Sequence, residues 1–307
     1  MIDLVALRSL MALDAHGTVS AAAVSLGYTP SAVSQQIKRM ERDLGVVLLD
    51  RVGRGVVLTD QGRHLVGHGH EILHHLEAAA SGLQPGDVLR GTLRVAAFSS
   101  SVRGLFAPLV TDLARTSPDI RLLLFEHDPP QAVELLVAGQ VDLAVVHSWA
   151  GVPLRRPESL AGVRLVEDVA DVLVHRDHRL AARSSLTPAD LLDEPWAVTP
   201  VGTICHRWFT HMFAGAGRSP QVHYWSGEFA SHVRLVAEGA AVALVPRLGR
   251  DALPPTVRAV PIVDPVPTRV VEVLWRESMS ASGTLRHVVE RLEGIVVGQS
   301  SFSTQSH

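Results

Sequence analysis

The chain of 307 residues exceeds one ordinary domain and suits two or three units. With 47% hydrophobic and 19% charged residues it can bury sizeable cores, which excludes a disordered chain. A net charge of -3, with seven Lys/Arg against six Asp/Glu in residues 1–65, gives no argument for nucleic acid from charge, so any such argument has to come from pattern.

Cys205 stands alone, which rules out an internal disulfide and fits a reducing compartment. The opening stretch MIDLVALRSLMALDAHG lacks the basic, apolar and small-residue order of a secretory signal. No stretch approaches the roughly 18 uncharged apolar residues that span a bilayer. The expected location is the cytoplasm.

Residues 1–58 read as three short helices and a hairpin. Leu4, Leu7, Leu10, Met11 and Leu13 recur at near-helical spacing until Gly17. Ser20 is a candidate N-cap for a helix from Ala21 to Leu26, ended by Gly27. Thr29-Pro30 supplies a cap and a first-turn proline for a helix reaching about Leu44, with Val33, Ile37, Met40 and Leu44 on its buried stripe. Val47 to Arg51 and Val56 to Thr59 then flank the turn Val52-Gly53-Arg54-Gly55 as a small wing. Thr59 caps a long helix to Leu83. Two interleaved seven-residue repeats on it, Leu65/Ile72/Ala79 and Gly69/Leu76/Leu83, suggest a seam with a partner helix.

Gln84-Pro85-Gly86-Asp87 breaks that helix, and the pattern beyond it changes. Strand candidates are Leu93–Phe98, Ile120–Phe125, Leu143–Val146, Val163–Val166, Val172–Val174, Trp196–Val198, Val222–Trp225, Ala243–Val245, Val257–Pro261 and Val270–Trp275. Helical stretches near 103–116, 130–139, 187–192, 203–214, 228–238 and 283–297 alternate with them. The alternation implies two α/β lobes built on mostly parallel sheets, with a cleft at the carboxyl ends of strands. The domains are therefore 1–58; a linker helix and hinge, 59–90; two lobes, 91–166 with 268–298 and 167–267; and a disordered polar tail, 299–307.

The run VSAAAVSLGYTPSAVSQQIKRMERDLGVVLLDRVGRGVVLTDQG, residues 19–62, resembles the signature of LysR-type transcriptional regulators along its whole length. The resemblance implies a winged helix-turn-helix. The side chains fit it: Ala21, Ala22 and Ala23 allow close helix approach, and the side opposite Val33 and Ile37 carries Ser31, Ser34, Gln35 and Lys38. Such a helix enters the major groove by its N-terminal end, so Pro30 and Ser31 approach the DNA while Ser34 and Gln35 meet base edges. Lys38, Arg51 and Arg54 are the phosphate contacts. The bland alternative is an ordinary small helical domain, which the ordered motif argues against.

His70-Glu71-Ile72-Leu73-His74 matches the zinc-protease pattern H-E-x-x-H, with His64, His68 and His75 nearby. No third ligand at a family spacing follows, and Ile72 belongs to the apolar seam. The set reads as a histidine-rich helix face, with neither a resident metal nor catalysis expected.

Gly91 to Ala96, Val137 to Val145 and Val236 to Pro246 resemble the LysR-type effector domain, two lobes like those of periplasmic binding proteins. Its implied ligand is a small metabolite such as a carboxylate. Ser99, Ser100 and Ser101 open a helix after the first strand, a ready anion site. Thr199, Gly202 and Thr203 form a facing loop, His147 and Trp149 end the third strand, and Ser226 and Phe229 open another helix. Each also has a structural reading as cap or packing. Cys205 lies near a helix start, where a thiol pKa can fall, yet an inert thiol is expected without a second cysteine. A free-standing ligand carrier and a hydrolase are the competing classes; residues 19–62 oppose the first, and no Gly-x-Ser-x-Gly elbow supports the second. The family implies operator DNA and RNA polymerase as partners, with the chain acting as a homodimer or homotetramer.

Overall fold

The computed structural model describes residues 2–53, 55–83 and 89–303. The chain divides into two compact units between Ala80 and Ser81.

In the first unit, α1 (Leu4–His16) starts at Asp3, whose carboxylate accepts from Val5 N–H at 2.8 Å, and stops at Gly17 with φ 70°. Helix α2 (Val19–Leu26) begins two residues earlier than its sequence suggests. Its cap is Thr18, not Ser20: Thr18 is extended and accepts from Ala21 N–H at 3.2 Å, while Ser20 is already helical. Helix α3 (Pro30–Leu44) opens as the Thr29-Pro30 pair predicts, Thr29 Oγ1 accepting from Ala32 N–H at 3.2 Å. Leu7, Leu10 and Leu13 of α1 meet Ala22 and Ala23 of α2 and Val33, Ile37 and Met40 of α3 in one core.

The wing strands β1 (Leu49–Val52) and β2 (Gly55–Leu58) pair antiparallel from Leu49↔Leu58 to Val52↔Gly55. Pairing starts later than Val47 because Glu41 Oε1 takes the N–H groups of Leu48 and Leu49 at 2.8 and 3.1 Å. Helix α4 (Asp60–Leu83) follows, with Thr59 Oγ1 accepting from Gly62 N–H at 3.0 Å. Its Leu65, Val66, Ile72 and Leu73 pack onto the core just described. A Cβ on Gly69 would lie 2.9 Å from Met11 Sδ and 3.0 Å from Leu7 Cδ1. Of the residues expected in the seam, Leu65, Gly69 and Ile72 thus cover their own domain, and residue 69 is small because α1 touches it. Leu76 is exposed. The side chains of Ala79 and Leu83, and the break at 84–87, lie outside the described residues.

The second unit opens with β3 (Gly91–Ala97), α5 (Ser99–Ser101), a π-helical turn at Val102–Phe106 and α6 (Ala107–Thr116). There follow β4 (Ile120–Glu126), α7 (Pro129–Val137), β5 (Leu143–Trp149), β6 (Leu160–His175) and β7 (Pro195–Val198). Next come α8 (Ile204–Met212), β8 (Gln221–Trp225), α9 (Phe229–Ala237), β9 (Val242–Pro246), β10 (Val257–Pro261), β11 (Thr268–Arg276) and α10 (Gly283–Ser303). The strand order is β4-β3-β5-β11-β6-β9-β7-β8, with β10 on the side of β6. Strands β4, β3 and β5 are parallel, as are β8, β7 and β9, whereas β11 runs antiparallel to β5 and β6.

Separate cores define two lobes. The largest cluster of one gathers Val95, Phe106, Leu143, Val273 and Leu285, and that of the other gathers Val172, Trp196, Ile204, Trp208 and Ile262; each lobe adds a smaller cluster, around Ala96 and Leu136 and around Leu173 and Val236. The pieces Val163–Val166 and Val172–Val174, expected as two strands, are one 16-residue strand passing between the lobes. The apolar pattern breaks at Asp168 and Asp171 because these carboxylates are buried against arginines, not because the strand stops. The expected disordered tail is also corrected in part: α10 continues through residues 299–303, and 304–307 lie outside the described residues.

Candidate DNA interface and ligand pocket

On α3, Val33 and Ile37 are fully buried, while Pro30, Ser31, Gln35 and Lys38 are exposed and Ser34 is half-buried. The adjacent glutamines differ in a way the sequence did not reveal. Gln36 Oε1 accepts from the buried Ser9 hydroxyl at 2.5 Å, which ties Gln36 to α1, whereas Gln35 is exposed; both residues line an open groove of about 890 Å³. Lys38, Arg39 and Arg42 line the same groove, so the exposed side of α3 carries more cationic charge than Lys38 alone. Their spacing on a helix whose buried stripe was already evident would have indicated Arg42. Arg51 is exposed on β1 opposite Val56. Arg54, expected at the wing tip, lies outside the described residues.

On α4, the His64 and His68 rings meet edge to face, 4.6 Å between centroids. The side chains of His70, Glu71, His74 and His75 lie outside the described residues. Among the described residues no three His, Cys, Asp or Glu side chains are placed to hold a metal ion.

Between the lobes of the second unit, the ends of β3 and β5 meet the middle of β6 and the start of β11. Arg269 of β11 donates through Nε to Asp168 Oδ2 at 2.8 Å and through Nη2 to Ser100 Oγ at 2.9 Å. Its guanidinium lies over Phe98 and Trp149, 5.0 and 5.6 Å from their centroids. Arg269 is 1% exposed, so this cation is enclosed, paired through Nε and Nη2 while its Nη1 has no hydrogen-bond partner. His147 stands edge-on to Phe98 and Trp149. Burial, and secondarily the charge of Arg269, holds its pKa well below the ordinary imidazole range.

A small cavity of about 20 Å³ lies beside this cluster, lined by Trp149, Thr199, Cys205, Phe209, Phe229 and His232, among others. Of the expected ligand residues, Trp149, Thr199 and Phe229 reach it. The three serines do not: Ser100 is bound to Arg269, Ser101 donates to the Phe98 carbonyl at 2.7 Å, and Ser99 is half-buried. His147 lies behind Cys205, with Nε2 3.9 Å from the sulfur. Ser226 contributes only its carbonyl, 3.0 Å from His232 Nε2. Thr203 caps α8, and Gly202, exposed with φ 95°, turns the loop before it. Arg269, Asp168, Phe98 and His232 were missed. Charged residues inside strand patterns, at 168 and 269, were the available signal.

A second link between the lobes is Asp128, at the start of α7, whose carboxylate accepts from Ile204 N–H at the first turn of α8 at 3.2 Å. Desolvation raises its pKa. Desolvation also pushes the Cys205 thiol up to about 11, so it remains a thiol near neutral pH, and the helix start does not activate it.

A three-helix domain with a two-stranded wing, joined to a two-lobed α/β domain with a buried polar cleft, defines the class of ligand-responsive DNA-binding regulators. Comparison narrows the class. Residues 4–63 match the family described as bacterial regulatory helix-turn-helix protein, lysR family, and residues 86–294 match the LysR substrate binding domain. The chain belongs to the LysR family of DNA-binding transcriptional regulators with an effector-binding domain. It is 24% identical over 289 residues to a hydrogen peroxide-inducible genes activator of Pectobacterium carotovorum, covering 93% of this chain and 94% of that one. The HTH-type regulator TtuA of Agrobacterium vitis is 28% identical, covering 74% of each chain. Among solved structures, a full-length OxyR variant from Pseudomonas aeruginosa aligns with TM-score 0.73 at 22% identity, covering 96% of this chain and 98% of that one. Full-length CbnR in complex with its target DNA aligns with TM-score 0.58 at 22% identity, covering 95% and 99%. These structures carry the fold alone. No helix among the described residues is long and apolar enough to cross a membrane.

Proposed function

We propose that α3 reads operator DNA through Ser34 and Gln35, with Pro30 and Ser31 at the groove edge and Lys38, Arg51 and Arg54 on phosphates. The carrying observation is that Gln35 is open to solvent on the side opposite the buried Val33 and Ile37. A Gln amide can pair bidentately with adenine, whereas the cations fix register without reading sequence. The domain division at 1–58, 59–90 and 91–298 belongs to this reading, with the first half of α4 added to the DNA-binding part. Two copies, or four, place their winged domains on a two-fold-related site in the cytoplasm and contact RNA polymerase.

A small effector between the lobes shifts the placement of the DNA-binding pairs, provided it binds the two arrangements with different affinity. Trp149, Thr199 and Phe229 contact it; Ser99, Ser100, Ser101, His147, Gly202, Thr203 and Ser226 shape the surrounding cleft. The protein acts as a regulator and not as an enzyme, a reading supported by the protonated Cys205 thiol and by the pairing of Arg269 with Asp168. The lone cysteine, held as a thiol, also opposes peroxide sensing through a disulfide within the chain.

Gel shifts with fragments from the DNA upstream of its own gene test the proposal. It predicts a complex that survives excess unrelated DNA and weakens with salt. Equal affinity for every fragment would overturn it.

A further inference from the structure

Asp128 stands just before α7 with extended backbone (φ -66°, ψ 146°), where an aspartate ordinarily accepts an N–H of its own first turn. It makes no such bond. The next two residues explain why: Pro129 and Pro130 fill the first two helical positions and have no N–H to give. Gln131 keeps an N–H, but the Asp128 carboxylate does not take it. Oδ2 accepts instead from Ile204 N–H in the first turn of α8, 76 positions away in the chain and 3.2 Å distant. Thr203 Oγ1 serves a different donor of that turn, His206 N–H, at 3.2 Å, so the two side chains share out the free N–H groups of one helix start. Arg207 on the same helix adds an attractive charge.

The ends of this bond are anchored in different lobes. Ala132, Val133 and Leu136 fix α7 in the cluster around Ala96, whereas Ile204 and Trp208 fix α8 in the core of Trp196. Arg269 and Asp168 link the lobes on strands that themselves pass between them, and Trp208 Nε1 donates to the Ala150 carbonyl just after β5 at 3.1 Å. Asp128 and Ile204 belong to two helix starts, one in each lobe. Lobes that turn about the crossing strands carry them apart.

We propose that Asp128 is a releasable clasp, a carboxylate freed from its own helix by two prolines that holds the start of α8 and with it the second lobe. The contact costs the carboxylate part of its hydration, which outweighs what Ile204 and Arg207 return and raises its pKa. Separation of the lobes restores that hydration, so the clasp is built to open. The inference rests on the effector reading of the cleft given above and names the residue that sets the starting arrangement of the lobes. An effector moves them only by binding one arrangement better than the other, and the clasp fixes how far the balance has to be shifted.

The test uses the full-length chain. Amide hydrogen exchange at Ile204 reads the bond, and exchange at Ala132 and Val133 reads α7. Spin labels at Glu134→Cys on α7 and Arg234→Cys on α9, both exposed positions, read the separation of the lobes. Cys205, a thiol of raised pKa, reacts slowly with the label. Asp128→Ala should speed exchange at Ile204 about fivefold, leave Ala132 and Val133 unchanged and lengthen the distance between the labels. Asp128→Asn retains an acceptor and should return Ile204 exchange toward the wild-type rate. Pro130→Ala gives α7 the donor it lacks, draws the carboxylate back to its own helix and should also speed exchange at Ile204; this keeps the test open if the Asp128 variants fail to fold. Faster exchange in α7 alone would make Asp128 an ordinary helix cap, and faster exchange at Ile204 with an unchanged label distance would make the bond a local one. Either result overturns the clasp, as does unchanged exchange throughout. DNA gel shifts on the same samples separate the readings: a label distance that responds in a protein without DNA binding supports the clasp and refutes the regulator.

Discussion

Arg269 and Asp168 are 101 positions apart in the chain, yet Arg269 Nε donates to Asp168 Oδ2 at 2.8 Å with both residues buried. The pair joins β11 to β6 where both strands pass between the lobes. Breaking a buried pair leaves a desolvated charge behind. Arg269→Met should therefore destabilise the effector domain by about 3–5 kcal/mol, whereas Arg269→Met with Asp168→Leu should recover most of the loss. Urea unfolding of the two variants and Asp168→Leu completes the cycle; additive losses would refute the coupling.

Gly249 marks a second close approach. Its φ is +64°, and a Cβ there would lie 2.2 Å from the Ser100 carbonyl oxygen. Gly249→Ala thus combines backbone strain with a clash against main chain, and should lower stability by about 2 kcal/mol or more. A thermal midpoint equal to that of the wild type would show that the two backbones separate freely.

His147 gives the protein an acid sensitivity with a defined sign. Burial, then Arg269, depresses its folded pKa well below the unfolded value. On acidification through about 6.5 the unfolded chain takes up a proton that the folded chain does not, so stability falls. The stability is fully present above that pH and is lost as pH falls toward the folded value. His147→Gln should show a smaller drop in urea midpoint between about pH 7.5 and pH 5.5. An unchanged drop would assign the sensitivity elsewhere.

Lys38 is exposed on the groove side of α3. In the phosphate-contacting role proposed for it, it would add affinity without sequence information. Lys38→Ala should weaken every DNA fragment alike and reduce the slope of log affinity against log salt by about 0.9 per protomer. Fragment-dependent losses would make Lys38 a base reader.

Much of this architecture was legible along the chain because its signals are local. The 3.6-residue stripe of Val33, Ile37 and Met40, the Thr29-Pro30 start and the alternation of strands and helices depend on neighbours in sequence. What escaped depends on partners far apart. Ser20 reads as the cap of α2, and only the backbone conformation shows that the helix starts earlier, capped by Thr18. Strand β6 looked like two strands because Asp168 and Asp171 interrupt its apolar run, and their arginines at 247, 250 and 269 are distant in the chain. Ser100 reads as a ligand hydroxyl until Arg269 is brought to it. That Gln36 is tied to α1 depends on Ser9, 27 positions away.

Hydroxyl-radical footprinting of the upstream DNA with wild type and with Ser34→Ala/Gln35→Ala puts the α3 assignment to its most direct test. The wild type should protect a two-fold-related site, and the double variant, equally folded by circular dichroism, should lose that preference while retaining salt-sensitive binding to any duplex. Protection of the same site with undiminished affinity by the double variant would contradict the assignment.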